Sequence, residues 1–156
     1  MWEWVEGILY GLRIADAAKK ILPAPKVVSR NTAKILTNCA WRGEALELET
    51  DGTYTTRYAV DWTFYQRSGK LMCDSIAYWR VGLVPKREEF KLTCRIVQDR
   101  LFQIDFVNGD DRIVNFGSEI LELSNDGRTF SGKFVSFVAD RSIIISGKIE
   151  ARCVDK

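Results

Sequence analysis

From about residue 34 onward, the chain alternates short runs of β-branched and aromatic residues with turn-forming residues. Eight such runs occur, separated by pairs such as Asp51-Gly52, Ser68-Gly69 and Asp126-Gly127. These pairs supply the positive φ angles that hairpin turns need, and such short links force neighbouring strands to run antiparallel. The pattern predicts an all-β protein, an eight-stranded antiparallel up-and-down β-barrel with one N-terminal amphipathic helix.

Alternation of apolar and polar residues sets the expected strand limits. In the second run, Tyr58, Val60, Trp62 and Phe64 share one face. The apolar phase breaks at Gly117-Ser118, which predicts a β-bulge, and Pro85 is expected in a longer loop. The strands are predicted over residues 35–49, 54–66, 70–80, 89–97, 101–107, 112–123, 128–138 and 142–153.

The segment before the barrel divides into two parts. Residues 1–22 have apolar side chains spaced three to four apart and end at Pro23, which predicts an amphipathic helix. Residues 23–34 predict a linker, and residues 35–156 the barrel domain. The helix either packs on the barrel or presents Trp2, Trp4, Ile8 and Leu12 to a membrane surface, a protein partner or a second copy of the chain.

Composition excludes several kinds of chemistry. The chain has no histidine, so a Ser-His-Asp or Cys-His mechanism cannot operate within it. The net charge of +2 arises from interspersed signs, which argues against duplex nucleic acid as a partner. No glycine-rich phosphate loop is present. We therefore expect no enzyme activity, no catalytic residues and no cofactor.

The four cysteines are Cys39, Cys73, Cys94 and Cys153, and none forms a CxxC pair. A metal site is therefore not expected. Each cysteine falls inside a predicted strand, where a thiol can act as a small apolar filler. With no secretory leader recognised, we expect reduced thiols in a cytoplasmic protein, either free or peripheral to a membrane.

Polar and aromatic residues of the second and third strands are the candidate ligand contacts. If they point inward, aromatic side chains would stack a ligand and an arginine would meet an anionic group. The alternative is that Arg57 and Asp61 lie on the solvent face, since only one face of a strand can be inside. The candidate residues are Arg57, Asp61, Tyr65, Tyr78 and Trp79.

Two families share this arrangement. Trp41-Arg-Gly43 and Phe130-Ser-Gly132 resemble the aromatic-glycine pairs of lipocalin-like (calycin) barrels, which hold apolar ligands. A helical N-terminal segment before a barrel spanning residue 35 to the end resembles the minimal β-barrel effectors of bacterial anti-phage cyclic-oligonucleotide signalling. These resemblances imply a small-molecule-binding barrel, and the second implies a sensor or sponge for a nucleotide or cyclic nucleotide.

The leading hypothesis is thus a non-catalytic barrel that binds a small nucleotide-like or apolar molecule. The alternative is an interaction module in which the N-terminal helix docks a partner and the barrel is filled by its own side chains.

Overall fold

The structure, a computed structural model, describes residues 30–110, 115–139 and 142–154, without the side chains of residues 30, 56 and 57. The predicted helix over residues 1–22 and the first part of the predicted linker lie outside the described residues. The described part begins with one helix, α1 (Arg30–Asn38). Eight strands follow: β1 (Ala40–Leu48), β2 (Tyr54–Arg67), β3 (Lys70–Val81), β4 (Val84–Gln98), β5 (Leu101–Asn108), β6 (Asn115–Leu123), β7 (Thr129–Val138) and β8 (Ile143–Val154).

Every strand pairs antiparallel with its neighbours in sequence, and β8 pairs with β1 to close the barrel. The predicted eight-stranded antiparallel barrel is therefore confirmed. The turns at Ser68-Gly69 and Asp126-Gly127 lie where they were predicted, whereas β3 and β4 are joined at Gly82-Leu83 instead of by the longer loop expected there. Between β2 and β3, Ser68 and Gly69 both adopt positive φ, at 51° and 75°, as a two-residue hairpin turn requires.

Helix α1 replaces part of the predicted linker and the start of the first predicted strand. The predicted start of the first strand at residue 35 is wrong, because residues 35–38 belong to the helix, in which Thr32 and Leu36, four residues apart, are both buried. The Thr32 hydroxyl donates to the carbonyl of Asp99 in the β4–β5 turn at 2.8 Å. The indole of Trp41 donates to the carbonyl of Leu36 at 3.0 Å. The helix thereby packs over one end of the barrel, here called the α1 end.

A disulfide also holds the α1 end together. Cys39, which follows the helix, is bonded to Cys153 of β8 with a Cα–Cα distance of 5.4 Å. The expectation of four reduced thiols is wrong for this pair, because barrel closure brings together cysteines 114 residues apart in sequence. Cys39 also lies outside any strand. Cys73 and Cys94 are free and buried, as expected of thiols that act as small apolar fillers.

Two further local predictions are wrong. Pro85 lies within β4 rather than in a loop. It is opposite Arg80 of β3, and at this point β4 does not pair with β5. The missing N–H of proline therefore interrupts no ladder on that side. The register of β6 continues through Gly117-Ser118 without a bulge. Register shifts occur instead at Ala45/Leu46 and Ile96/Gln98.

Candidate functional site

The barrel interior has a packed half and a hollow half. The half nearer the α1 end is filled by aromatic rings arranged mostly edge to face. The ring of Phe130 lies 4.9 Å from Trp41, 5.4 Å from Trp62 and 5.6 Å from Phe102, measured between centroids. These rings are almost fully buried, so this half leaves no room for a ligand.

The half away from α1 contains a cavity of about 570 Å³. This volume lies within the range of small-molecule sites in proteins. Six aromatic side chains contribute to its walls: Tyr58, Trp62, Trp79, Phe90, Phe106 and Phe134. Smaller apolar residues, including Val60 and Ala77, line the space between them.

Two glycines of the sheet determine where the cavity rings lie. Gly117 is opposite Phe106 across β5 and β6, and a Cβ at Gly117 would stand 2.4 Å from the tip of that ring. Gly147 is opposite Phe134, and a Cβ there would stand 2.6 Å from its ring edge. Each ring thus lies over a glycine of the neighbouring strand, against the wall. This arrangement leaves the space at the centre open.

Glu119 of β6 is the most unusual residue of the cavity lining. Its side chain is buried, and its Oε2 has no hydrogen-bond partner among the described residues. Burial raises the pKa of the carboxyl from 4.5 to about 8, an effect that the nearby Trp62 indole only partly opposes. The carboxyl is therefore mainly protonated at neutral pH and can both donate and accept a hydrogen bond.

A second unsatisfied polar atom belongs to the same cavity. The Nε1 of Trp62 is buried and makes no hydrogen bond of good geometry within the described part of the chain. Buried polar groups are nearly always paired in native proteins. The Trp62 indole is close enough to Glu119 to lower the pKa of its carboxyl, so these two groups face each other, and the Oε2 of Glu119 is left open to a further polar group. Elsewhere in the lining, the Ser136 hydroxyl donates to Asn115 Oδ1 at 2.8 Å.

The two free thiols belong to the wall beneath Glu119 and are not suited to reaction. Burial is the main cause that raises the pKa of Cys94 to about 12 and the pKa of Cys73 well above its ordinary value, and Glu119 adds to both shifts. Thiolates are the reactive form, so both side chains remain inert thiols. Among the described residues, no group of histidine, cysteine or acidic side chains could hold a metal ion.

The structure separates the residues that the sequence suggested as ligand contacts. Trp79 lines the cavity. Asp61 lies on the outer face, where it pairs with Arg42 at 2.8 Å, and Tyr65 donates to Asp74 on that face at 3.1 Å. Tyr78 is exposed on the outer face too.

The alternative reading, in which alternation places Asp61 toward solvent, is the one the structure adopts. The side chain of Arg57 lies outside the described part. So do the interaction-helix residues Trp2, Trp4, Ile8 and Leu12.

Sequence reasoning missed Glu119, although a signal was present. Leu121 and Leu123 are buried, and stepping back by two residues along β6 places Glu119 and Gly117 on the same inward face. A carboxylate residue in the apolar register of a strand is the pattern that would have identified it.

Comparison of the chain with protein-family models, with curated proteins and with solved structures gives no match. Within the described ranges, the helix is too short and too polar to cross a membrane. The candidate site is therefore interpreted from its own geometry.

Proposed function

We propose that this protein is a non-catalytic binding barrel that holds one small molecule in the cavity. The observation that supports this most directly is a space of about 570 Å³ with aromatic walls, into which the buried Glu119 brings a carboxyl oxygen that has no hydrogen-bond partner among the described residues. Apolar walls with few convergent polar groups are typical of small-molecule sites.

The lining favours a mainly apolar ligand that carries one polar group. The aromatic walls would gain from covering apolar surface, and the polar group would pair with the Glu119 carboxyl or the Trp62 N–H. Besides the mainly protonated Glu119, the lining includes two acidic residues, Glu47 and Glu88, and one basic residue, Arg80. A ligand with several phosphates would therefore meet more negative than positive charge, whereas an uncharged or basic ligand would not.

A nucleotide or cyclic nucleotide is the second candidate, which would make the barrel a sensor or sponge in anti-phage signalling. The observation that favours it is the edge-to-face pair of Tyr58 and Trp79, with ring centroids 5.7 Å apart, next to Arg80 in the cavity lining. Aromatic faces stack any base, and a guanidinium suits a phosphate.

The test is a thermal-shift screen of the purified protein against uncharged aromatics, amines, fatty acids, mononucleotides and cyclic di- and trinucleotides. A ligand at one hundred times its Kd adds about 2.7 kcal/mol, which for a domain of this size raises Tm by roughly 5–10 °C. We expect the largest shifts with uncharged or basic aromatic compounds. Shifts confined to cyclic nucleotides would favour the second candidate instead.

A matched pair of variants locates the binding. Ala77→Trp places an indole in the cavity, because Ala77 is buried in its lining. Ala59→Trp makes the same change at an exposed position of β2. The first variant should abolish the ligand-induced shift and the second should keep it. Equal shifts in both folded variants, or no shift with any compound class, would refute a cavity ligand.

The disulfide also suggests the cellular compartment in which the protein works. The Cys39–Cys153 bond favours a compartment in which disulfides persist, rather than the reducing cytoplasm that the sequence suggested. Mass spectrometry of protein alkylated during extraction from its native host distinguishes the two, since only an oxidising location leaves these two thiols unmodified.

A further inference from the structure

The end of the β3–β4 hairpin projects beyond the barrel wall. Strand β3 pairs with β2 only as far as Tyr78, and β4 pairs with β5 only from Phe90 onward. Within the described part of the chain, the stretch between these points pairs across the hairpin alone, through Trp79↔Lys86, Arg80↔Pro85 and Val81↔Val84. Residues 80–87 are called the hairpin tip here.

The hairpin tip is apolar at its outermost point. Leu83 is 94% exposed, Val81 60% and Val84 55%. These three side chains lie within four consecutive residues at one tight turn. Single exposed apolar residues are ordinary, but a cluster at the end of a projecting hairpin costs free energy in water unless something covers it.

Positive charge surrounds this apolar point. Arg80, Lys86 and Arg87 are all exposed, and residues 80–87 contain no acidic residue. The first acidic residues are further from the turn, where Glu89 pairs with Arg87 at 2.7 Å. An apolar tip surrounded by basic side chains is complementary to the surface of an anionic lipid bilayer, in which hydrocarbon lies beneath negatively charged headgroups.

We propose that the hairpin tip docks on a lipid bilayer that contains anionic lipids. Val81, Leu83 and Val84 enter the acyl boundary, while Arg80, Lys86 and Arg87 contact the headgroups. Trp79, Arg80 and Val81 also line the cavity, so docking brings that part of the lining next to the lipid. The proposal does not depend on cavity binding, because its readout is the association of the protein with vesicles.

The experiment is co-sedimentation of the full chain with vesicles of phosphatidylcholine, with and without phosphatidylserine. We expect stronger binding to the phosphatidylserine vesicles, weakened by added salt. Removing one basic residue near the surface should reduce partitioning about fivefold, and the reversal in Arg80→Glu/Lys86→Glu should reduce it further. Leu83→Asp should abolish insertion into both kinds of vesicle.

Each variant has a matched control elsewhere on the barrel. Ile120→Asp removes another exposed apolar side chain, 54% exposed on β6, and introduces the same charge. Lys91→Glu/Arg95→Glu makes the same charge change further along β4, at two exposed positions. Circular dichroism and Tm establish that all four variants fold.

The outcomes are distinct. Loss of vesicle binding in the tip variants but not in the controls supports the proposal. Absence of binding by the unmodified chain refutes it, as does equal binding by tip and control variants, which would place the lipid contact elsewhere on the chain. If light scattering shows a dimer that Leu83→Asp converts to a monomer, with no vesicle binding, the tip is instead an interface between protein copies.

Discussion

Replacing Glu119 by glutamine should remove a large pH dependence of stability. In the folded protein the carboxyl stays protonated up to a pKa of about 8, whereas its ordinary value is 4.5. Between these values the unfolded chain has released the proton and the folded chain has kept it. Stability therefore falls as pH rises through this window, is highest below it, and levels off above it.

The magnitude follows from the same two values. Their difference is about 3.5 pH units, because 8 minus 4.5 is 3.5. Each pH unit corresponds to between 1 and 2 kcal/mol, so the full window amounts to roughly 5 kcal/mol. Glutamine cannot ionise, and it has nearly the same shape. The variant should therefore approach the stability of the unmodified protein at the acidic end and exceed it at the basic end.

The assay is urea unfolding at several pH values between 5 and 8, with the disulfide kept oxidised. The window is favourable because the chain has no histidine, the side chain that ordinarily titrates there. Asp51 and Asp126 have pKa values lowered by hydrogen bonds with Thr53 and Ser124, so their effects fall at more acidic pH. Parallel pH profiles for the two proteins would refute a protonated, buried Glu119.

Two further predictions concern stability. Reducing the Cys39–Cys153 bond should lower the free energy of unfolding by about 4–5 kcal/mol, because the bond closes a loop of more than one hundred residues. Urea unfolding measures this loss, which should be absent in a Cys39→Ser/Cys153→Ser variant. Equal urea midpoints for the oxidised and the reduced protein would contradict the prediction. Gly117→Ala should lower the free energy of unfolding by about 2 kcal/mol or more, because the added methyl group would overlap the Val135 carbonyl and the Phe106 ring. An unchanged Tm would show that the ring does not lie over this glycine.

Local sequence was sufficient to predict the strands and most of their limits. The second strand, predicted over 54–66, is observed as Tyr54–Arg67, and the fifth, predicted over 101–107, as Leu101–Asn108. These elements are specified by alternation and by adjacent turn residues, which operate over a few positions. At Pro85 two local signals competed, and nothing in the sequence indicates that one side of this strand lacks a neighbour.

The candidate site was harder to predict from the sequence than the strands were, for a different reason. Trp79 lies in the cavity wall, whereas Asp61 and Tyr65 lie on the outer face, because alternation along a strand does not tell which face is enclosed when both faces carry aromatic or polar groups. Glu119 was missed although it shares the inward face of β6 with Leu121 and Leu123, because a carboxylate is not expected at an enclosed position.

The sequence by itself determined the strand number, the antiparallel order and most of the turns, because each rests on residues that are neighbours in the chain. Only the tertiary structure decided which cysteines are bonded, which half of the barrel is hollow and why a carboxyl stays protonated. Each of these depends on distant residues. Cys39 meets Cys153, and Phe134 lies over Gly147, only once the barrel closes with a particular register. The burial that holds the proton on Glu119 exists only inside that closed wall.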